Sequence, residues 1–258
     1  MKTGVSQGAQ TADRALQVLL LVAQSEEPLS VAEISRRLGF NVSATYRLVQ
    51  ALASHSLLAR ERDQRSYGVG GGLVALAATV MQRVDLPEVA LPAMERLREL
   101  TSETVSVYVR DGRHRICVAL LEGLHPMRWV VPVGDRQPLN VGLTGKVILA
   151  FLPEPEVVEV LDSAEPGAID RVHVEEQIEQ ARATGYLVGV GDRVPGVGGV
   201  SAPIFDRSGV AAALTVSGPG DRLTAEVGER ISGAVLHEAA AVSAALGAER
   251  TLAAAGGR

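Results

Sequence analysis

The sequence predicts an α+β protein in two parts: a winged helix-turn-helix within residues 11–70, then a larger domain of antiparallel sheet flanked by helices over residues 87–250. Three observations carry this. First, three helix-like segments and a short hairpin are packed into sixty residues, with Gly39–Val42 as the short glycine-bearing turn between the second and third helices. Second, the hairpin signals Asp111-Gly112 and Asp206-Arg207-Ser208-Gly209 are interleaved with helical stretches further on, which argues against a doubly wound parallel sheet. Third, 258 residues suffice for two cores, and no apolar run approaches the roughly 18 residues of a membrane span. The longest candidate, Ala15–Ala23, is cut by Gln17.

The elements follow in order. The first ten residues are polar and glycine-rich, carry no apolar segment that could act as a signal peptide, and read as a disordered tail. Thr11 can cap a helix with Ala12, Leu16, Leu19, Leu20 and Ala23 as its apolar positions. Ser30 caps a short second helix with Ile34 and Leu38 inward and Gly39 as its left-handed stop. Ser43 opens a third helix to about Ser54, and residues 56–70 read as two short strands around Arg62-Asp63-Gln64. Residues 71–86 form a linker whose helix carries Leu73, Leu76, Ala77 and Val80 on one stripe; its place between two domains suggests that it also pairs subunits, although it also reads as a plain amphipathic helix on the core. Pro87 suits the first turn of the next helix, through about Leu100. Strands are expected at Thr104–Val109, Arg115–Leu121, Trp129–Val133, Val200–Phe205 and Val210–Ser217. Helices are expected at Gly145–Phe151, Glu154–Leu161, Val174–Thr184 and Thr224–Leu246, with a trailing tail at 251–258.

Charge is uneven. Residues 1–70 carry a net +2 and residues 71–258 a net −7, within a total of −5. A weakly basic head on an acidic body suits a nucleic-acid contact made by one end only. On a wheel of about 100° per residue, Thr45, Leu48, Val49 and Leu52 form the core stripe of the third helix. The opposite face carries Ser43, Arg47, Gln50 and Ser54, flanked by Tyr46, and has no acidic residue. An arginine, an amide and hydroxyls match base edges and phosphates in a major groove. Arg47 is the candidate for a guanine; Ser43, Tyr46 and Ser54 suit phosphates; Asn41, just ahead, can reach either. Arg60, Arg62 and Arg65 make a basic wing. Solvated surface remains the alternative for any single one of these residues.

These segments resemble a known family. TADRALQVLLLVAQ, PLSVAEISRRLGFNVSATYRLVQALASHSLLAR and YGVGGGLVALA are similar to the N-terminal half of the IclR family of bacterial regulators, while VGDRQPLNVGLTGKVILAFLPEP and GYLVGVGDRVPGVGGVSAPIFDRSGVAAALTVSGP resemble its C-terminal half, together covering about residues 11–246. The resemblance implies a GAF-like effector domain with a curved antiparallel sheet, homodimers or homotetramers on palindromic double-stranded operators, and a small organic effector. It places the effector site on Trp129, Leu143, Thr144, Gly145, Gly189, Val197, Gly199, Thr215 and Ser217. Departures from the family pattern include Asp192 as the one acid left in GVGD, Gly199 where a cysteine is common, and Ser43-Ala44 in place of a Ser-Thr pair. The sensor departures speak against a metal ion or a tightly coordinated small keto acid.

The mapped site offers an aromatic wall at Trp129, hydroxyls at Thr215 and Ser217, and helix N-terminal amides near Gly145 that favour an anion. Its glycines suggest spare room, so the expected effector is a carboxylated molecule bulkier than pyruvate, with an aromatic one in range; Trp129 as plain core is the alternative. Lys146, one of two lysines among 23 arginines, is expected to serve capping or surface duty rather than Schiff-base chemistry. Cys117, the lone cysteine, reads as a small buried hydrophobe and leaves no intramolecular disulfide, which fits the cytoplasm. GVGDRVPGVGG lacks both P-loop and dinucleotide context and reads as an irregular loop. The five histidines are scattered, and no cofactor motif or catalytic constellation stands out. The remaining alternatives are a ligand-independent regulator, or a small-molecule-binding module or enzyme whose helix-turn-helix does not bind DNA.

Overall fold

The computed structural model describes residues 7–61, 65–81, 86–165 and 167–248, the side chains of 7–9 and 77–81 excepted. Chain contacts divide it into two units, residues 1–84 and 85–258.

In the first unit, α1 spans Gln7–Ala23. It begins before Thr11, which therefore lies inside the helix instead of capping it, and residues 7–10 of the expected tail are helical. Its buried residues are also not the expected set. Val18 and Val22 enter the core, with Ala15 and Leu19 packed against it, whereas Leu16 and Leu20 are exposed. The true stripe, 15-18-19-22, has the same helical spacing but sits one residue, or about 100°, away. A short β1 (Leu29–Ser30) leads into α2 (Val31–Leu38). Ser30 and Glu33 form a capping box, each side chain accepting from the other's backbone N–H, and Gly39 closes the helix at φ 67°. Next, α3 covers Val42–Ser54 and buries Thr45, Leu48, Val49 and Leu52 as expected.

Strands β2 (Leu58–Arg60) and β3 (Ser66–Val69) pair antiparallel, and β1 adds on the far side of β3. The tip of this wing, Arg62 included, lies outside the described residues. Helix α4 covers Gly71–Met81. Within its expected stripe Leu73 is half-buried and Leu76 is exposed; the side chains of Ala77 and Val80 lie outside the described residues. The glycines at its start, Gly70 just before it and Gly72 in its first turn, answer a packing demand. A Cβ on Gly70 would stand 2.1 Å from the Ser56 carbonyl oxygen and one on Gly72 2.8 Å from it, and the Gly70 and Gly72 N–H groups donate to Leu57 O and Ser56 O.

The second unit opens with α5 (Leu86–Thr101), β4 (Thr104–Asp111) and β5 (His114–Leu121). Asp111 pairs with His114, so the tight turn is Gly112-Arg113, with Gly112 at φ 59°. Trp129–Val133 is not a strand. Pro132 has no N–H to give a ladder, and the chain instead folds back through Gly134 N–H to Cys117 O and Cys117 N–H to Asp135 O. The strand that follows is β6 (Arg136–Pro138), on β5's free edge. Three helices come next: α6 (Gly142–Ala150), α7 (Glu154–Asp162) and α8 (Arg171–Thr184), the last stopped by Gly185 at φ 83°. Strand β7 (Leu187–Val190) takes the start of the glycine-rich segment that the sequence suggests is wholly irregular, and β8 (Val197–Asp206) takes its end. Strand β9 (Gly209–Pro219) and α9 (Ala225–Ala245), capped by Thr224, complete the unit.

All six strands of the second sheet run antiparallel in the order β6-β5-β4-β9-β8-β7, with register shifts at Val107/Tyr108 and Ile204/Phe205 that bend it. Alternation along β8 and β9 decides what covers each face. Helix α9 packs on β8 with α5 beside it, while α6 and α8 cover the opposite face around Leu139, Val147, Ile148, Ile178 and Leu187. Both arrangements are those of an α+β fold. Among the described residues no helix is long and apolar enough to cross a membrane, and no group of three or more His, Cys, Asp or Glu is placed to hold a metal.

Candidate functional site

Two sites are present, one in each unit. In the first, Ser43, Tyr46, Arg47, Gln50 and Ser54 are all exposed along one side of α3. Ser43, Tyr46, Arg47 and Arg65 line one shallow cleft together with Ser30, Val31 and Val42. Four of the expected contact residues already have partners within the unit. Asn41 Oδ1 accepts from Ser43 N–H at 2.9 Å and so caps α3, and Ser54 Oγ donates to Ala51 O. Tyr67, absent from the sequence reading, organises the rest. Its ring is buried, and its hydroxyl accepts from Gln50 Nε2 at 2.8 Å and from Arg60 Nε at 3.1 Å, with the Arg60 guanidinium over the ring. One phenol thereby ties the reading helix to the first wing strand. Its alternation in the short strand Ser66–Val69, one face in and one out, was the signal available in sequence.

In the second unit, eight of the nine residues that the resemblance mapped line a single cavity: Trp129, Leu143, Thr144, Gly189, Val197, Gly199, Thr215 and Ser217. They come from a loop, α6, β7, β8 and β9. Gly145 does not line it. Helix α6 starts at Gly142 (φ 76°), three residues earlier than expected, and Gly145 sits over the Leu139 carbonyl, which a Cβ would approach to 2.2 Å. The helix N-terminal amides near the cavity therefore belong to the turn starting at Gly142. The hydroxyls are chained: Thr144 Oγ1 lies 3.0 Å from Thr215 Oγ1, which lies 2.8 Å from Ser201 Oγ.

The cavity has a volume of about 70 Å³. The spare room expected in front of the glycines is taken by Leu143, whose methyl carbons would lie 3.1 Å from a Cβ on Gly189 and 3.4 Å from one on Gly199. Small residues on the sheet thus accommodate a large one on the helix.

Seven further lining residues lie outside the mapped set, among them the large side chains Tyr108, Arg115 and Arg193. Arg193 lies over the Trp129 ring, 5.8 Å from its centre. Arg115 is only 3% exposed, and burial pushes its guanidinium down to about 10, still charged at neutral pH. It shares a strand face with Cys117, which the period-2 pattern could have revealed. Lys146, expected at the surface, is buried. Its ammonium donates to Asp192 Oδ1 at 2.6 Å and to Gln177 Oε1, so the one acid left in the glycine-rich segment is neutralised from within. Cys117 is fully buried beside Tyr108 and Val131, and burial pushes its thiol up to about 11.

Comparison with known proteins bears on both sites. Residues 11–62 match the IclR helix-turn-helix domain, and residues 78–244 match the bacterial transcriptional regulator IclR C-terminal domain. The chain is 32% identical over 224 residues to the HTH-type transcriptional repressor AllR of Escherichia coli K12, covering 84% of this chain and 83% of that one. Among solved structures it resembles the Thermotoga maritima IclR (27% identity, TM-score 0.72, covering 92% of this chain and 99% of that one). It also shares its fold with a Microbacterium hydrocarbonoxydans IclR homologue complexed with 4-hydroxybenzoate (22% identity, TM-score 0.79, 92% and 98%).

Proposed function

This chain belongs to the IclR family of bacterial transcriptional regulators, and from that premise we propose that it is a repressor whose operator binding is controlled by a small organic carboxylate held in the cavity under α6. Repression is supported by the relatives at 30–32% identity that are named repressors. Ser43, Tyr46, Arg47 and Gln50 read the major groove, with Arg60 and Arg65 on the flanking backbone. The exposed apolar side chains Val74 and Leu76 of α4 support homodimers or homotetramers, and so palindromic operators.

The observation that carries the sensor half is the convergence of the mapped residues from five segments on one cavity with two arginines in its wall. The direct test is fluorescence anisotropy on DNA from the chain's own upstream region, titrated with salt, using Arg47→Ala as control. Sequence-selective, salt-sensitive binding that a carboxylic acid weakens supports the reading; binding indifferent to sequence rejects it.

A cavity of about 70 Å³ holds only a handful of heavy atoms, well below the several hundred Å³ usual for drug-sized ligands. Aromatic acids are therefore the second choice, since they fit only if Leu143 turns aside. The same small volume favours a second reading, a regulator with no effector. A thermal-shift screen of organic acids separates the two, because a ligand that binds the folded state raises the melting temperature.

A further inference from the structure

We propose that Arg115 is the anion-selecting residue of the sensor cavity, its Nε/Nη2 edge receiving the effector's carboxylate in a two-point contact; this rests on the carboxylate-effector reading above. The geometry of the guanidinium carries the inference. Its two edges are treated differently. Nη1 donates to the carbonyls of Pro138 and Val141, which holds the group beneath the first turn of α6. Nε is buried and has no acceptor among the described residues, and Nη2 makes no hydrogen bond to any described residue. No described carboxylate lies within 4.0 Å of the group.

The same chain shows what that edge is for. Arg96 uses Nε and Nη2 to hold both oxygens of Glu238, at 2.8 and 2.6 Å, and Arg222 uses the same pair of atoms on Glu103, at 2.7 and 3.0 Å. Arg115 presents an identical fork, more deeply buried than either, with no acid of its own. A planar guanidinium matches a carboxylate through two parallel N–H···O bonds.

The surroundings reinforce the charge. Asp192 is held by Lys146, and Arg193, over the Trp129 ring, comes with Arg115 against the same glycine, Gly142, so the cavity keeps an unbalanced positive charge. Gly142 and Gly145 admit the guanidinium close under the helix: a Cβ on either would meet an Arg115 nitrogen, at 3.1 and 2.7 Å. The helix N-terminus therefore faces the same side of the cavity as the free edge, and both favour an anion.

The test uses the full chain, acetate, propionate, pyruvate and benzoate, and the primary amide of each as a neutral isostere. Binding is read by calorimetry and by the fluorescence of Trp129, the single tryptophan. Wild type should bind at least one acid at least tenfold more tightly than its amide. Arg115→Gln should erase that preference, Arg115→Lys should keep part of it, and Arg193→Gln should reduce it less than Arg115→Gln does. Far-UV circular dichroism and thermal unfolding establish that each variant folds; if Arg115→Gln does not, the acid-to-amide ratio of the wild type and of Arg115→Lys still decides. Acid and amide binding alike to wild type, or an acid preference that survives in Arg115→Gln, overturns the role of Arg115 alone. No binding of any acid to wild type overturns the carboxylate-effector reading and this inference with it.

Discussion

Arg47 and Arg115, proposed for comparable chemistry, stand in opposite settings. Arg47 stands in water on α3, and Arg115 is shut beneath α6. An outward-facing site is built from one contiguous segment, because neighbouring positions on a helix already share a face. The sensor cavity needs a loop, a helix and strands far apart in the chain, and its shape depends on pairs such as Leu143 with Gly189 and Gly199. Surface function therefore tolerates change residue by residue, whereas the cavity answers as a unit.

That contrast can be pressed by mutation, from the largest effect downward. Lys146→Met leaves Asp192 buried without its cation and should cost about 3–5 kcal/mol in chemical unfolding, with Lys146→Met/Asp192→Leu recovering most of it. A single variant as stable as wild type would dissolve the contrast. Leu143→Ala should cost about 2–4 kcal/mol and, by opening the cavity, let benzoate bind measurably better than it binds wild type; calorimetry reads both halves, and unchanged benzoate affinity would show that Leu143 does not set the size. Arg47→Ala should weaken operator binding by about 1–3 kcal/mol, relaxing sequence preference at one base pair, with no shift in melting temperature. Tyr67→Phe should lower stability by about 1 kcal/mol and weaken DNA binding less than Arg47→Ala, because Gln50 and Arg60 lose a shared anchor. Finally, with its thiol pushed up to about 11, Cys117 is thiolate in only about one molecule in a thousand at pH 8. It should resist iodoacetamide until the second unit unfolds, as mass spectrometry would show.

Much of the first unit was legible because its rules are local. The capping serine at 30, the stop at Gly39 and the buried set Thr45, Leu48, Val49 and Leu52 follow from spacing alone. The misreading of α1 is local too. Leu16, Leu19 and Leu20 outweigh Val18 and Val22 on any hydrophobic count, and only the position of α2 and α3 decides which side faces in. In the second unit the helices from α7 onward and both hairpins were legible from caps and turns. The residues that make the cavity what it is were not. Arg115 and Lys146 violate the expectation that charge lies outside, and their burial is explained by partners 20 or more positions away: Pro138 and Val141 for one, Gln177 and Asp192 for the other. Trp129–Val133 has strand composition, and a single proline with two loop hydrogen bonds overrides it.

The glycines at the start of α4 carry a consequence for how the first unit is joined. Gly70 and Gly72 are bonded to the turn that ends α3, with no room for a side chain on either, so the reading helix and α4 meet in a close-packed junction. Eleven residues make an arm about 16 Å long. A bulkier residue at Gly70 would have to push the end of α3 and the start of α4 apart.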